Sequence, residues 1–244
     1  MNAPPTNYNS TQYPPNSNYG PADVEANVEP KEFNAELRLG FIRKVYGILT
    51  SQLLFTVFIC GLTFIPAVNQ FFRNNIVLFW ICLVLSIAIL IPLVCFQSIA
   101  RKTPTNYILL GAFTFCEVYM IATCCSFYNP RVVIAAVSLT AAISIGLTVY
   151  ACTTKTDFTW MGSLLFVSVI LLICLGLFCI FLPFLHTLYC VIGVFIFSLY
   201  LIFDTQLILG KFGVEYEIDD YIIAALNLYI DIINIFLYLL QLMR

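Results

Sequence analysis

Charge is scarce in this sequence. Only 10% of its 244 residues are Asp, Glu, Lys or Arg, where a soluble domain carries about a quarter. So few charges cannot cover the surface of a water-soluble fold. The 11 basic and 13 acidic residues leave a net charge of −2, without the clustered basic face that nucleic acid demands. His186 is the one histidine, and the ten cysteines contain no C-x-x-C pair, so the usual ligand spacing of a zinc site is missing. G-x-S-x-G, H-E-x-x-H and a Gly-rich phosphate loop are missing too, which argues against an enzyme.

What fills the chain instead is apolar: 61% hydrophobic types and a mean hydropathy of +0.94. Residues 1–36 differ from the rest. They are rich in Pro, Asn, Tyr and Ser and show no periodicity, so they are expected to form a disordered cytosolic tail. They lack a basic segment followed by an apolar one, so no cleavable signal peptide is expected. Asn9-Ser10-Thr11 fits a glycosylation acceptor, which matters only for a lumenal tail.

Residues 37–244 read as a membrane domain. A bilayer core takes about 20 apolar residues per helical crossing. Seven runs qualify, near 45–68, 76–98, 106–128, 131–151, 161–184, 186–209 and 221–243. They are continuously apolar rather than alternating, which excludes a membrane barrel. Backbone groups cannot stay unpaired in lipid, so the fold class is all-α, a polytopic seven-helix bundle. The ten cysteines lie within or at the ends of the apolar runs and read as small buried hydrophobes. Pro92 falls inside a run and predicts a kink. Arg38, Arg43, Lys44, Arg101, Lys102, Lys155 and Lys211 flank one side of the bundle. Arg73, Arg131 and Arg244 flank the other. The asymmetry places the N-terminus in the cytosol.

Three carboxylates fall within the runs: Glu117, Asp204 and Asp231. An ionisable group at membrane depth is costly and marks a functional site. At 1.5 Å per residue they lie ~16, ~9 and ~15 Å from the cytosolic helix ends, which suggests one shared polar cavity. In the last run Asn227, Asp231, Asn234, Tyr238 and Gln241 recur at intervals of 4, 3, 4 and 3, forming one polar stripe that must face the bundle interior. Tyr189, Gly193, Tyr200 and Asp204 share a face of the run before it. Two acids in close contact cannot both ionise cheaply and hold one shared proton. Ionised, their oxygens suit a hard cation such as Ca²⁺. A basic residue could instead lock the pair, and Arg101 and Lys102 are the candidates within reach. Interhelical hydrogen bonding alone is the plainer role for such residues.

The motifs Arg43-Lys44-Val45-Tyr46-Gly47, Thr154-Lys155-Thr156-Asp157-Phe158-Thr159, Phe203-Asp204-Thr205-Gln206 and residues 225–237, reading ALNLYIDIINIFL, together resemble the Bax inhibitor-1, or transmembrane Bax inhibitor motif, family. The resemblance covers residues 36–244, and the Pro- and Tyr-bearing tail is most similar to its Lifeguard branch. It implies a central last helix and a pH-sensitive Ca²⁺ leak in an internal membrane, endoplasmic reticulum or Golgi, with the plasma membrane as an alternative. It also implies protection against apoptosis. The family's aspartate pair maps to Asp204 and Asp231, its latch cation to Arg101 with Lys102 adjacent, and a membrane glutamate of some branches to Glu117. The competing reading is a non-conducting membrane regulator that binds apoptosis-regulating membrane proteins. An intramembrane aspartic protease lacks its Gly-x-Gly-Asp motif here, and a proton-coupled carrier should show internal repeats, of which none is clear. No resident cofactor is implied; the expected partners are lipid, protons and Ca²⁺. If the charge asymmetry sets orientation, protease added outside sealed organelles should remove an epitope placed within residues 1–36. Protection of that epitope would reverse the topology.

Overall fold

A chain in hydrocarbon has to satisfy its own N–H and C=O groups, and the apolar runs do so as helices. The computed structural model describes residues 30–213 and 215–243. Among them are nine α-helices and no strand: α1 (Pro30–Leu62), α2 (Pro66–Asn74), α3 (Ile76–Cys95), α4 (Gln97–Ala100), α5 (Thr105–Ser126), α6 (Pro130–Thr153), α7 (Gly162–Phe181), α8 (His186–Leu209) and α9 (Tyr221–Leu242). Seven of these segments are long and apolar enough to cross a membrane, as expected. The expected tail lies outside the described residues up to position 29, and its last residues, from Pro30, already belong to α1.

The first span sits earlier than hydropathy alone suggests, at Ala35–Leu62 rather than 45–68. Arg38, Arg43 and Lys44 interrupt the apolar pattern but not the helix, because lysine and arginine are good helix formers. The residues beyond it form α2, a separate short helix that starts with Pro66 at its first position, where a missing N–H costs nothing. Asn69 and Arg73 of α2 both donate to the Ser126 carbonyl, Asn69 at 3.2 Å and the Arg73 Nε at 2.7 Å. A cation on the last carbonyls of α5 satisfies orphan acceptors and complements the helix dipole. Pro92 stays inside α3, which continues to Cys95.

Within lipid, moving a leucine from tails to a helix interface gains little, so packing and polar contacts decide the arrangement. The ninth helix is the centre. Of its most apolar window 67% is buried, against 11% for α7 and 17% for α3. It pairs most extensively with α8 and also meets α5 and α6. Tyr229 has no exposure, and its hydroxyl meets the Thr56 hydroxyl of α1 at 3.0 Å. Gln52 of α1 donates to Thr114 of α5 at 2.7 Å. A groove of about 420 Å³ runs between α1, α6, α8 and α9; Val57, Ile145 and Val149 on it are at least half exposed.

The α8–α9 contact depends on one glycine. A Cβ at Gly193 would come within 2.7 Å of three ring atoms of Tyr238, closer than carbon atoms can pack. Tyr238 thereby reaches Tyr189, hydroxyl to hydroxyl at 3.1 Å. Replacing Gly193 by Ala should destabilise the bundle by about 1–3 kcal/mol, the usual cost of overpacking. Thermal unfolding in detergent would register it as a lower Tm; an unchanged Tm would mean that Tyr238 has room to move.

Candidate functional site

The spacing of polar residues on α9 dictates where they point, and α8 and the segment between α8 and α9 supply most of their partners. Asn227 donates to the Tyr216 hydroxyl at 2.8 Å. Asp231 meets Asp204, Tyr238 meets Tyr189, and the Gln241 Oε1 accepts from the His186 Nε2–H at 3.2 Å. Asn234 donates to the Ile230 carbonyl of its own helix at 2.8 Å. The α8 face expected from Tyr189, Gly193, Tyr200 and Asp204 is the one that α9 packs against: Gly193 receives the Tyr238 ring, and Tyr200 stands close to both aspartates.

Asp204 and Asp231 are 4% and 3% exposed, and their carboxyl groups face each other across the seam between α8 and α9. Asp204 accepts a hydrogen bond from the Tyr216 hydroxyl at 3.2 Å. The Asp231 Oδ2 is buried without a hydrogen-bond partner among the described residues. Leaving an acceptor unpaired inside a protein costs about 1–3 kcal/mol, so the pair is an energetically expensive feature with unused coordinating capacity. Among the described residues no three His, Cys, Asp or Glu side chains converge as a metal site.

Glu117 does not join the pair. It contacts Ser86 of α3 and lines a separate cavity of about 340 Å³ with Tyr229, Asn234 and Cys124, which neither aspartate reaches. Depth along the helices brings the three acids to a similar level, but α9 stands between Glu117 and the seam with α8. The structure pairs Arg101 elsewhere as well. Its Nε and Nη2 donate to the two carboxylate oxygens of Asp220 at 2.8 and 3.0 Å, and Nη1 lies 2.8 Å from Glu217. Lys102 is exposed. The bidentate bond to Asp220, then burial acting the other way, set the balance at Arg101, and its guanidinium is held charged more firmly than usual.

Sequence reasoning passed over Tyr216 and read Arg38 only as a flanking charge. Residues 215–220 lead into α9 and place the Tyr216 hydroxyl on Asp204. Arg38 of α1 donates to the Tyr216 carbonyl at 2.7 Å and to the Leu207 carbonyl at 2.5 Å, and it lies 3.3 Å from Glu215. The Tyr216 N–H donates back to Leu207. Burial first, and the nearby Asp204 charge second, push the Tyr216 phenol well above its ordinary range, so it remains a donor. Gly210, with φ +66°, ends α8 in the left-handed conformation that glycine adopts without strain. An aromatic among four acids, Glu215, Glu217, Asp219 and Asp220, was the available signal, but it carries no periodicity.

Comparison with known proteins adds an independent line. The profile of the family described as "Inhibitor of apoptosis-promoting Bax1" matches residues 38–244. Protein lifeguard 3 of Homo sapiens is 37% identical over 98% of this chain and 80% of its own length. Protein lifeguard 3 of Mus musculus is 36% identical over 85% of this chain and 69% of its own. Protein LIFEGUARD 4 of Arabidopsis thaliana is 35% identical over 86% of each.

The Arg101 bonds predict a contribution to stability that does not change with pH near neutrality. A cation with a raised folded pKa contributes stability that is complete below its unfolded pKa and is lost only as pH climbs through the folded value. For an arginine both lie beyond about pH 12. The Arg101→Gln variant should therefore lower Tm by equal amounts at about pH 6 and about pH 8. A difference in thermal shift between the two would mean that Arg101 does not govern that contact.

Proposed function

The chain belongs to the Bax inhibitor-1 family, and on that premise we propose that it is a pH-sensitive Ca²⁺ leak pathway of an intracellular membrane that restrains apoptosis. The observation that carries this reading is the buried Asp204–Asp231 pair, with one carboxylate oxygen left without a partner at membrane depth. Carboxylate oxygens are hard ligands suited to Ca²⁺, which also takes backbone and water oxygens to complete its shell. A proton shared by the pair and a divalent cation compete for the same atoms. With the N-terminus cytosolic, the pair lies in the cytosolic half of the bilayer and reads cytosolic pH. Lowering stored Ca²⁺ is the route by which such a leak would protect the cell. Glu117, in its separate cavity, is a candidate further acid on the opposite side of α9.

The test is Ca²⁺ efflux from proteoliposomes across a pH series. Wild type should bind Ca²⁺ more weakly as pH falls, by up to about tenfold per pH unit for exchange against one proton. Asp204→Asn and Asp231→Asn should lose both the flux and its pH slope. Flux and slope that survive both substitutions would rule the aspartates out. A second reading starts from the family description, an inhibitor of apoptosis-promoting Bax1: a non-conducting regulator of death signalling that binds apoptosis-regulating membrane proteins. In that case survival of cells under death signals should persist in the aspartate-neutralised variants.

A further inference from the structure

Residues 215–220 cross the seam between α8 and α9 at the end of the bundle that carries Arg38 and Arg101. They are attached to it on both sides. On one side Arg38 grips the Tyr216 carbonyl, the Leu207 carbonyl and Glu215. On the other, Arg101 grips Glu217 and Asp220. Between these grips the Tyr216 side chain turns inward. Its hydroxyl donates to Asp204 and accepts from Asn227, so one phenol ties the crossing segment to α8 and α9 together.

We propose that residues 215–220 form a releasable strap over the aspartate pair, with Tyr216 as the positioning residue on Asp204 and Arg38 and Arg101 as its two latches. The inference rests on the leak reading for its consequence, since the strap then closes the pathway at this end. Tyr216 occupies an acceptor site on Asp204 that an entering cation needs. It cannot leave while its carbonyl is held by Arg38 and its neighbour Glu217 by Arg101.

The attachments differ in strength along the strap. Glu215 and Glu217 have side chains 52% and 70% exposed, and ion pairs that water can reach contribute little. Asp220 is 11% exposed on its side chain, takes a bidentate guanidinium, and sits at the start of α9. Paired forks of this kind are the strong ones. The strap is therefore anchored at Asp220 and weakly fastened at Glu215 and Glu217, so its Tyr216 portion is held chiefly by the carbonyl on Arg38 and the hydroxyl on Asp204 and Asn227 and lifts when those yield, while the α9 end stays in place. The arginine latch thus acts on the aspartates through an intervening tyrosine rather than by direct pairing.

The experiment uses the full chain in proteoliposomes, with Ca²⁺ efflux and hydrogen–deuterium exchange over residues 215–220 read on the same preparations. Tyr216→Phe keeps the ring and removes the donor; Arg101→Gln removes a latch. Each should raise resting efflux about fivefold, the population shift that one lost hydrogen bond allows, and adding Asp204→Asn should cancel the increase. Exchange over 215–220 should rise in Arg101→Gln, and Arg101→Lys should fall between it and wild type. If wild type shows Asp204-dependent efflux that neither variant changes, the strap is overturned while the leak stands. If wild type shows no Asp204-dependent efflux, the leak fails, and exchange alone decides: unchanged protection in Arg101→Gln overturns the strap, and increased exchange supports it.

Discussion

Lipid offers no hydrogen-bond partner to a carboxyl group, so Asp204 and Asp231 oblige the elements around them to supply one. They face each other across the seam, and Tyr216 donates to Asp204, which demands that α8 and α9 stay in register to within the reach of two short side chains. The rest of that seam follows the same register. Gly193 makes room for Tyr238, Tyr238 reaches Tyr189, and Gln241 reaches His186. Asn227 and Tyr216 close the other end. A slip of one helical turn would separate all of these contacts at once.

This accounts for the position of α9. The transfer of apolar side chains that drives folding in water is weak between membrane helices, so an apolar helix has no strong reason to sit in the middle of a bundle. A helix with a polar stripe does, because its stripe cannot face hydrocarbon. The most apolar span, α7 with a mean hydropathy of 3.2, is also the least buried, whereas α9 at 2.0 is the most buried. Burial here tracks polarity, the reverse of a soluble core.

The spans and the two meeting faces were legible in the sequence because both depend on short-range spacing. Runs of about 20 apolar residues specify crossings, and a 4-3-4-3 recurrence specifies one side of a helix. Glu117 lines its own cavity rather than one shared with the aspartates for a definite reason: counting residues from a helix end yields depth, not the direction in which a side chain leaves the helix axis. Arg101 shows a second limit. Positive flanking residues place it at one membrane face, but its partners Glu217 and Asp220 lie 116 and 119 positions away in a segment without periodicity. Tyr216 was hidden by the same lack of pattern. Where function depends on an aperiodic connection folding back onto a helix pair, only coordinates reveal it.

The groove between α1, α6, α8 and α9 carries its own implication. Its walls are almost wholly aliphatic and aromatic apart from a few hydroxyls such as Thr50, Thr140 and Ser144, and its rim stands open at the depth of the acyl tails. Whatever hydrocarbon surrounds the protein becomes part of its packing there. Chain length and saturation of the host bilayer are then structural ingredients of this molecule, as much as any residue that it encodes.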